Sequence, residues 1–120
     1  MVEVLKIINS EMKKLDIDYQ FGVWKTEIKY PMTVGNFAVD EYVYENNCTK
    51  GTFTLHTWNG GSEIELTKMA DRIKKQFAML IKSNDNASYR FAFNNTINVP
   101  TGADDLYRID IIIDVTYWEV

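Results

Sequence analysis

From Tyr107 to Trp118 the chain alternates without a break, and this constrains the fold more than any other feature. Tyr107, Ile109, Ile111, Ile113, Val115 and Tyr117 fall on one side of an extended backbone. Arg108, Asp110, Ile112, Asp114, Thr116 and Trp118 fall on the other. A period of two predicts a strand with one apolar and one mixed face, and an apolar sheet face must be covered by something. The cover is predicted by two stretches with helical spacing. Val4, Leu5, Ile8, Met12 and Leu15 make one amphipathic helix over residues 2 to 15. Leu66, Met69, Ala70, Ile73, Phe77, Leu80 and Ile81 make a second, which starts at the capping box formed by Ser62 and Glu65 and runs until Asn84-Asp85-Asn86.

Between and after these lie further strand signals. Tyr19, Phe21 and Val23 share a face, with Gly22 marking a bulge or a close approach and Trp24 pointing to the opposite side. After Tyr30-Pro31, a loosely alternating stretch through Val34, Phe37, Val39, Tyr42 and Tyr44 reads as one long strand, or as two broken near Gly35-Asn36. Turn chemistry at Glu45-Asn46-Asn47 and Lys50-Gly51 leads into a central strand, Thr52 to Trp58, which Asn59-Gly60-Gly61 ends. Tyr89, Phe91 and Phe93 form a short strand face, and Asn94 to Asp105 reads as one long loop. The expected fold is a single α+β domain over residues 1 to 120, with two helices packed on one face of a mostly antiparallel sheet.

At 120 residues there is room for one domain, and 46% hydrophobic with 25% charged residues excludes global disorder. A formal net charge of −4 gives no electrostatic reason to approach nucleic acid or an anionic membrane. The N-terminal residues lack the order of a secretory leader, and no apolar run is long enough to span a bilayer, so the expected site of synthesis and action is cytoplasmic. The single cysteine, Cys48, fits a reducing compartment.

Chemistry-bearing patterns are few. His56 has no second histidine or nearby cysteine to build a metal site and reads as structural or surface. Cys48 lies across a turn from His56, but in an Asn-rich hairpin with no oxyanion-forming motif. Asp110 and Asp114 share a strand face at about 13 Å, too far for a common proton or ion. Gly60-Gly61 lacks the lysine and spacing of a phosphate loop and reads as the approach to a helix cap. No cofactor, metal or catalytic residue is expected. The aromatic load is high: three tryptophans and seven tyrosines. Trp24, Trp58 and Trp118 fall opposite the expected core face, where they are either covered by loops or buried against another subunit.

The order of segments resembles the small tail-completion proteins of siphophage-like prophages, the group related to tail terminators. It runs through the helix Glu3 to Leu15, Tyr19-Gln20-Phe21-Gly22, Tyr30-Pro31-Met32-Thr33-Val34-Gly35 and Thr52-Phe53-Thr54-Leu55. It continues through Arg72-Ile73-Lys74-Lys75-Gln76-Phe77, Val99-Pro100-Thr101-Gly102-Ala103-Asp104-Asp105-Leu106-Tyr107-Arg108 and Thr116-Tyr117-Trp118-Glu119-Val120. The helix, sheet, helix, sheet layout is also similar to the terminator fold. The resemblance implies a structural virion protein at the head-tail junction, neither an enzyme nor a cofactor binder. It implies a ring, commonly a hexamer, that caps the tail tube and stops its polymerisation, made in the host cytoplasm. The implied partners are further copies of the chain, the major tail tube protein and head-tail connector proteins, without specific nucleic-acid or membrane binding. Each subunit is expected to offer an edge strand or aromatic surface to the next, with Trp24, Tyr42, Tyr44, Trp58 and Trp118 as subunit-interface residues and the loop Asn95 to Asp105 reaching a neighbour or the lumen. The alternatives are a head-closure or tail-tube protein of the same virion, or a monomeric small-ligand-binding or enzymatic α+β domain.

Overall fold

A computed structural model of the chain describes residues 2–40 and 48–119. Helix α1 (Val2–Lys14) is followed by β1 (Tyr19–Phe21), β2 (Met32–Val39) and β3 (Thr49–Gly60). Helix α2 (Glu63–Phe77) then leads into β4 (Leu80–Asn84), β5 (Ala87–Val99) and β6 (Leu106–Glu119). The strands form one six-stranded sheet in the order β1-β2-β3-β6-β5-β4. All neighbours are antiparallel except β1 and β2, which are parallel. The α+β class and the single-sided helical cover agree with the sequence reading.

The alternation of β6 becomes the spine of the sheet. It pairs with β3 from Thr49↔Tyr117 to Gly60↔Leu106 and with β5 from Ala87↔Glu119 to Val99↔Arg108. Its apolar face, Ile109 to Tyr117, joins Phe53, Leu55, Tyr89 and Phe91 from the neighbouring strands. On these pack Val4, Ile8 and Met12 of α1 and Leu66, Ile73 and Phe77 of α2. Helix α2 begins where its cap predicts: Glu65 N–H donates to Ser62 Oγ at 3.2 Å.

Several boundaries depart from the sequence reading. β3 runs from Thr49 to Gly60, so Lys50-Gly51, read as turn, and Asn59-Gly60, read as the strand's end, belong to the strand, because both stretches pair with β6. Helix α2 ends at Phe77, and Leu80 and Ile81 start β4, which pairs with β5 through Leu80↔Phe91. The helical stripe continued into residues that suit a strand equally well, and tertiary pairing decided between them. Asn84-Asp85-Asn86 is therefore the β4–β5 turn, held by Asn86 N–H donating to Asn84 Oδ1 at 2.8 Å. Asn94 to Val99 belongs to β5, so the loop is confined to residues 100–105. That half of β5 is exposed, and without a buried face it carries no apolar alternation. β1 stops at Phe21 because Gly22 turns to φ +85°, which leaves Val23 outside the strand and exposed. β2 runs unbroken through Gly35, while Tyr42, Tyr44 and the turn at Glu45-Asn46-Asn47 lie outside the described residues.

Two interior features bind elements together. Glu11 is only 1% exposed on α1, and it accepts hydrogen bonds from Gln76 of α2, from Lys14 at 3.2 Å and from Lys82 of β4 at 3.3 Å. Burial alone would raise its carboxyl pKa; the bonds from Gln76, Lys14 and Lys82 outweigh burial and hold it below the usual carboxylate range. Tyr19 lies across Gly35, and burial pushes its phenol pKa up; its hydroxyl has no hydrogen-bond partner among the described residues. No described helix is long and apolar enough to cross a membrane.

Candidate subunit-docking surface

Among the described residues both helices pack on the same side, and the other face of the sheet carries no helical layer. The register places Met32, Val34 and Asn36 of β2 there. Thr54, His56 and Trp58 of β3 lie beside them, followed by Arg108, Asp110 and Ile112 of β6. A strap formed by residues 22–31 leaves β1 and folds back toward the start of β2. Gln20 holds it, accepting from Lys25 N–H at 2.8 Å and donating to Thr26 Oγ1 at 3.1 Å.

The polar centre of this face follows from direct cross-strand neighbours, His56↔Asp110 and Trp58↔Arg108. Arg108 grips Asp110 with two bonds, Nε to Oδ1 at 2.9 Å and Nη2 to Oδ2 at 3.0 Å, and lies over the Trp58 ring at 5.1 Å. His56 Nδ1 is 3.0 Å from Asp110 Oδ1, and Nε2 is 3.0 Å from Asn36 Nδ2. Arg108 Nη2 also lies 3.1 Å from His56 Nδ1. The Asp110 side chain is 13% exposed. Burial would raise its pKa, but bonds from Arg108 and His56 and their charges hold it below the carboxylate range.

The far end of the face repeats the stacking: Arg90 of β5 lies over the Trp118 ring at 5.1 Å. Trp58 and Trp118 are both half-buried, each with one guanidinium against it. Trp24, also half-buried, donates from Nε1 to Glu27 O at 3.1 Å within the strap. Of the five aromatic positions expected at a subunit interface, Trp58 and Trp118 share the open face, Trp24 sits in the strap, and Tyr42 and Tyr44 lie outside the described residues.

The remaining sequence candidates are kept apart. Cys48 is buried just before β3 and His56 is far along the same strand, at about 3.3 Å per residue, so the two cannot act together. Asp114 takes Asn94 Nδ2 at 3.0 and 3.1 Å, apart from the Asp110 cluster. The peptide N–H of Gly61 donates to Asp105 O at 2.8 Å, which ties the α2 approach to the residue 100–105 loop. The described residues contain no group of three or more His, Cys, Asp or Glu placed to hold a metal.

Sequence reasoning missed the sheet margins. Each has a short outer strand beside a longer inner one: β1 spans only Thr33 to Gly35 of β2, and β4 spans only Ala87 to Phe91 of β5. Beyond β4, β5 carries no charge from Ala92 to Val99, and Ile97 is 45% exposed. Edge strands are usually guarded by charge, bulges or cover; this one lacks charge and carries a register shift between Phe93 and Asn95. Next to it, on the helical side, a groove of about 520 Å³ is lined by Leu66, Val99, Pro100, Leu106 and Tyr107. At the opposite margin Phe21, which ends β1, and Val23 just after it are exposed; Ile28 and Tyr30 farther along the strap are exposed too, Tyr30 lying against Gly60 of β3. The absence of charge over Ala92 to Val99 was the signal that could have revealed the first margin. No known protein family matches this chain, and no curated protein does.

Proposed function

We propose that this chain is a structural phage protein at the head-tail junction, a tail terminator that assembles as a ring, caps the tail tube and stops its polymerisation. The observation that carries the reading is a sheet with two unlike, unfilled margins, each flanked by exposed apolar side chains. Unlike surfaces on opposite sides of one molecule associate head to tail, and such contacts close into a ring when the rotation between neighbours allows it. The open face, with Trp58 and Trp118 each under an arginine, has the composition of a protein-docking surface.

In this reading the ring is a hexamer, one ring face meets the last tail-tube subunits, and the other meets the head-tail connector. Its place is the virion neck, after assembly in the host cytoplasm. The formal charge of −4 suits a channel that lets DNA pass without holding it. No cofactor and no enzymatic step enter this role. The test is tail morphology in a phage lacking the protein. Tails of uncontrolled, excessive length are expected; tails of normal length would refute length control. Tubes of normal length that fail to join heads would point to head closure instead.

A further inference from the structure

We infer that neighbouring copies join by continuing the sheet, with β1 of one copy adding antiparallel to the vacant outer edge of β5, at Thr96 to Asn98, of the next.

The register carries the argument. One row crosses the sheet as Gln20↔Val34↔His56↔Asp110↔Ile97. The rows on either side run Tyr19↔Thr33↔Thr57↔Ile109↔Asn98 and Phe21↔Gly35↔Leu55↔Ile111↔Thr96. β1 therefore stands level with Thr96 to Asn98, the part of β5 that β4 leaves uncovered. β4 in turn begins level with Val39, through Leu80↔Phe91↔Val115↔Gly51↔Val39, where β1 no longer covers β2. The two stepped margins interlock when a copy is set beside another with no shift along the strands. Direction agrees as well. β1 is parallel to β2, and three antiparallel steps separate β2 from β5, so β1 meets β5 antiparallel.

Chemistry favours a second copy as the occupant. A strand edge presents peptide donors and acceptors, which another extended strand satisfies. The bonds from Thr33 N–H to Asp18 O and from Gly22 N–H to Gly35 O turn alternate residues of β1 toward β2. The peptide groups of Tyr19 and Phe21 therefore point outward, where the Phe21 carbonyl already accepts from Val23 N–H at 3.1 Å and the Tyr19 groups and the Phe21 N–H are left for a neighbour. A ladder this short is too small for a stable interface, which buries roughly 1,200 Å² or more in total. The apolar flank extends it: exposed Phe21 at the end of β1 and Val23 just beyond it would approach the groove lined by Leu66, Val99 and Leu106 of the other copy. Right-handed twist rotates each copy relative to the last, as ring closure requires.

This pairing deepens the ring reading and rests on it for the head-to-tail order. The test uses the full chain with its buried Cys48 left in place. Gln20 and Ile97 would be direct cross-strand neighbours between copies, within disulfide reach. Mixing Gln20→Cys protein with Ile97→Cys protein under oxidation is expected to give covalent dimers, neither variant alone gives any, and the double variant gives a ladder of multimers. Dimers from Ile97→Cys alone would mean two-fold pairing of β5 with β5 and would overturn the inference, as would the absence of mixed dimers. Because Gln20 also holds the strap, Ile97→Lys provides a second measurement. It should weaken self-association at least tenfold in sedimentation with an unchanged circular dichroism spectrum, and unaltered association would overturn the pairing. A covalent ladder together with normal tails in a phage lacking the protein would leave the pairing standing and remove the terminator role.

Discussion

Gly35 has no room for a methyl group. A Cβ there would lie 2.6 Å from the Tyr19 hydroxyl and 2.7 Å from Phe53 Cε1. The Phe53 ring is fully buried, so the neighbours can yield only by disturbing the core where β1, β2 and β3 meet. Gly35→Ala should cost about 1–3 kcal/mol, read as a lower midpoint in urea or thermal unfolding. Glu11 makes a prediction in pH. Its folded pKa lies below the unfolded one, so the stability it contributes is present above the ordinary carboxylate range and is lost as pH falls through the folded value. The wild type should therefore weaken steadily as pH drops below about 4.3. Glu11→Gln should be less stable at pH 7 by roughly 1–2 kcal/mol and show a shallower acid limb, with Asp110 supplying what remains. An acid limb of undiminished slope in the variant would remove Glu11 from that role. The aromatic residues singled out from sequence divide at this scale too: Trp58 and Trp118 are found on the open face, but their partners, Arg108 and Arg90, come from other strands and leave no local signature.

The elements that could be read from sequence are those whose burial is one-sided. β6 and the first four turns of α2 bury one stripe and expose the other, so their periods are plain. The parts that could not be read lack that asymmetry. Leu80 and Ile81 continue a helical stripe yet pair as a strand, and Asn94 to Val99 resembles a loop because it is supported only by β6. The parallel placement of β1 beside β2 depends on contacts distant in sequence and has no local pattern. Hydrogen exchange separates these cases. In the isolated protein the amides of β6 and the inner edge of β5 should be strongly protected, while outward amides from Thr96 to Asn98 exchange fast. In the proposed ring those outward amides should slow at least tenfold, together with those of Tyr19 and Phe21. Slowing at the open face alone, with the β5 edge unchanged, would place the contact on Trp58 and Trp118 instead.

At the scale of the molecule, the decisive property is asymmetry. The body measures 48 × 26 × 25 Å, with both helices on one face and the sheet continuing to two margins of different shape. A two-sided layered domain with guarded edges has little to offer a second copy, whereas this one ends in complementary steps. In the proposed ring, self-assembly is separated from what the assembly caps: the margins would join copies, and the open face, with the His56, Arg108 and Asp110 cluster at its centre, would be left for a different protein. Truncating that face should leave the ring intact. Trp58→Ala combined with Trp118→Ala is expected to retain oligomer size in sedimentation while reducing co-sedimentation with tail tubes at least tenfold. Loss of the oligomer in that variant would assign the tryptophans to the contact between copies. Electron microscopy of tails assembled with this protein tests the whole account most directly. Six copies closed into one ring at the head-proximal end of the tube, with β1 of each beside β5 of the next, is the predicted image; tails that end without it, or carry it as isolated monomers, would contradict the account.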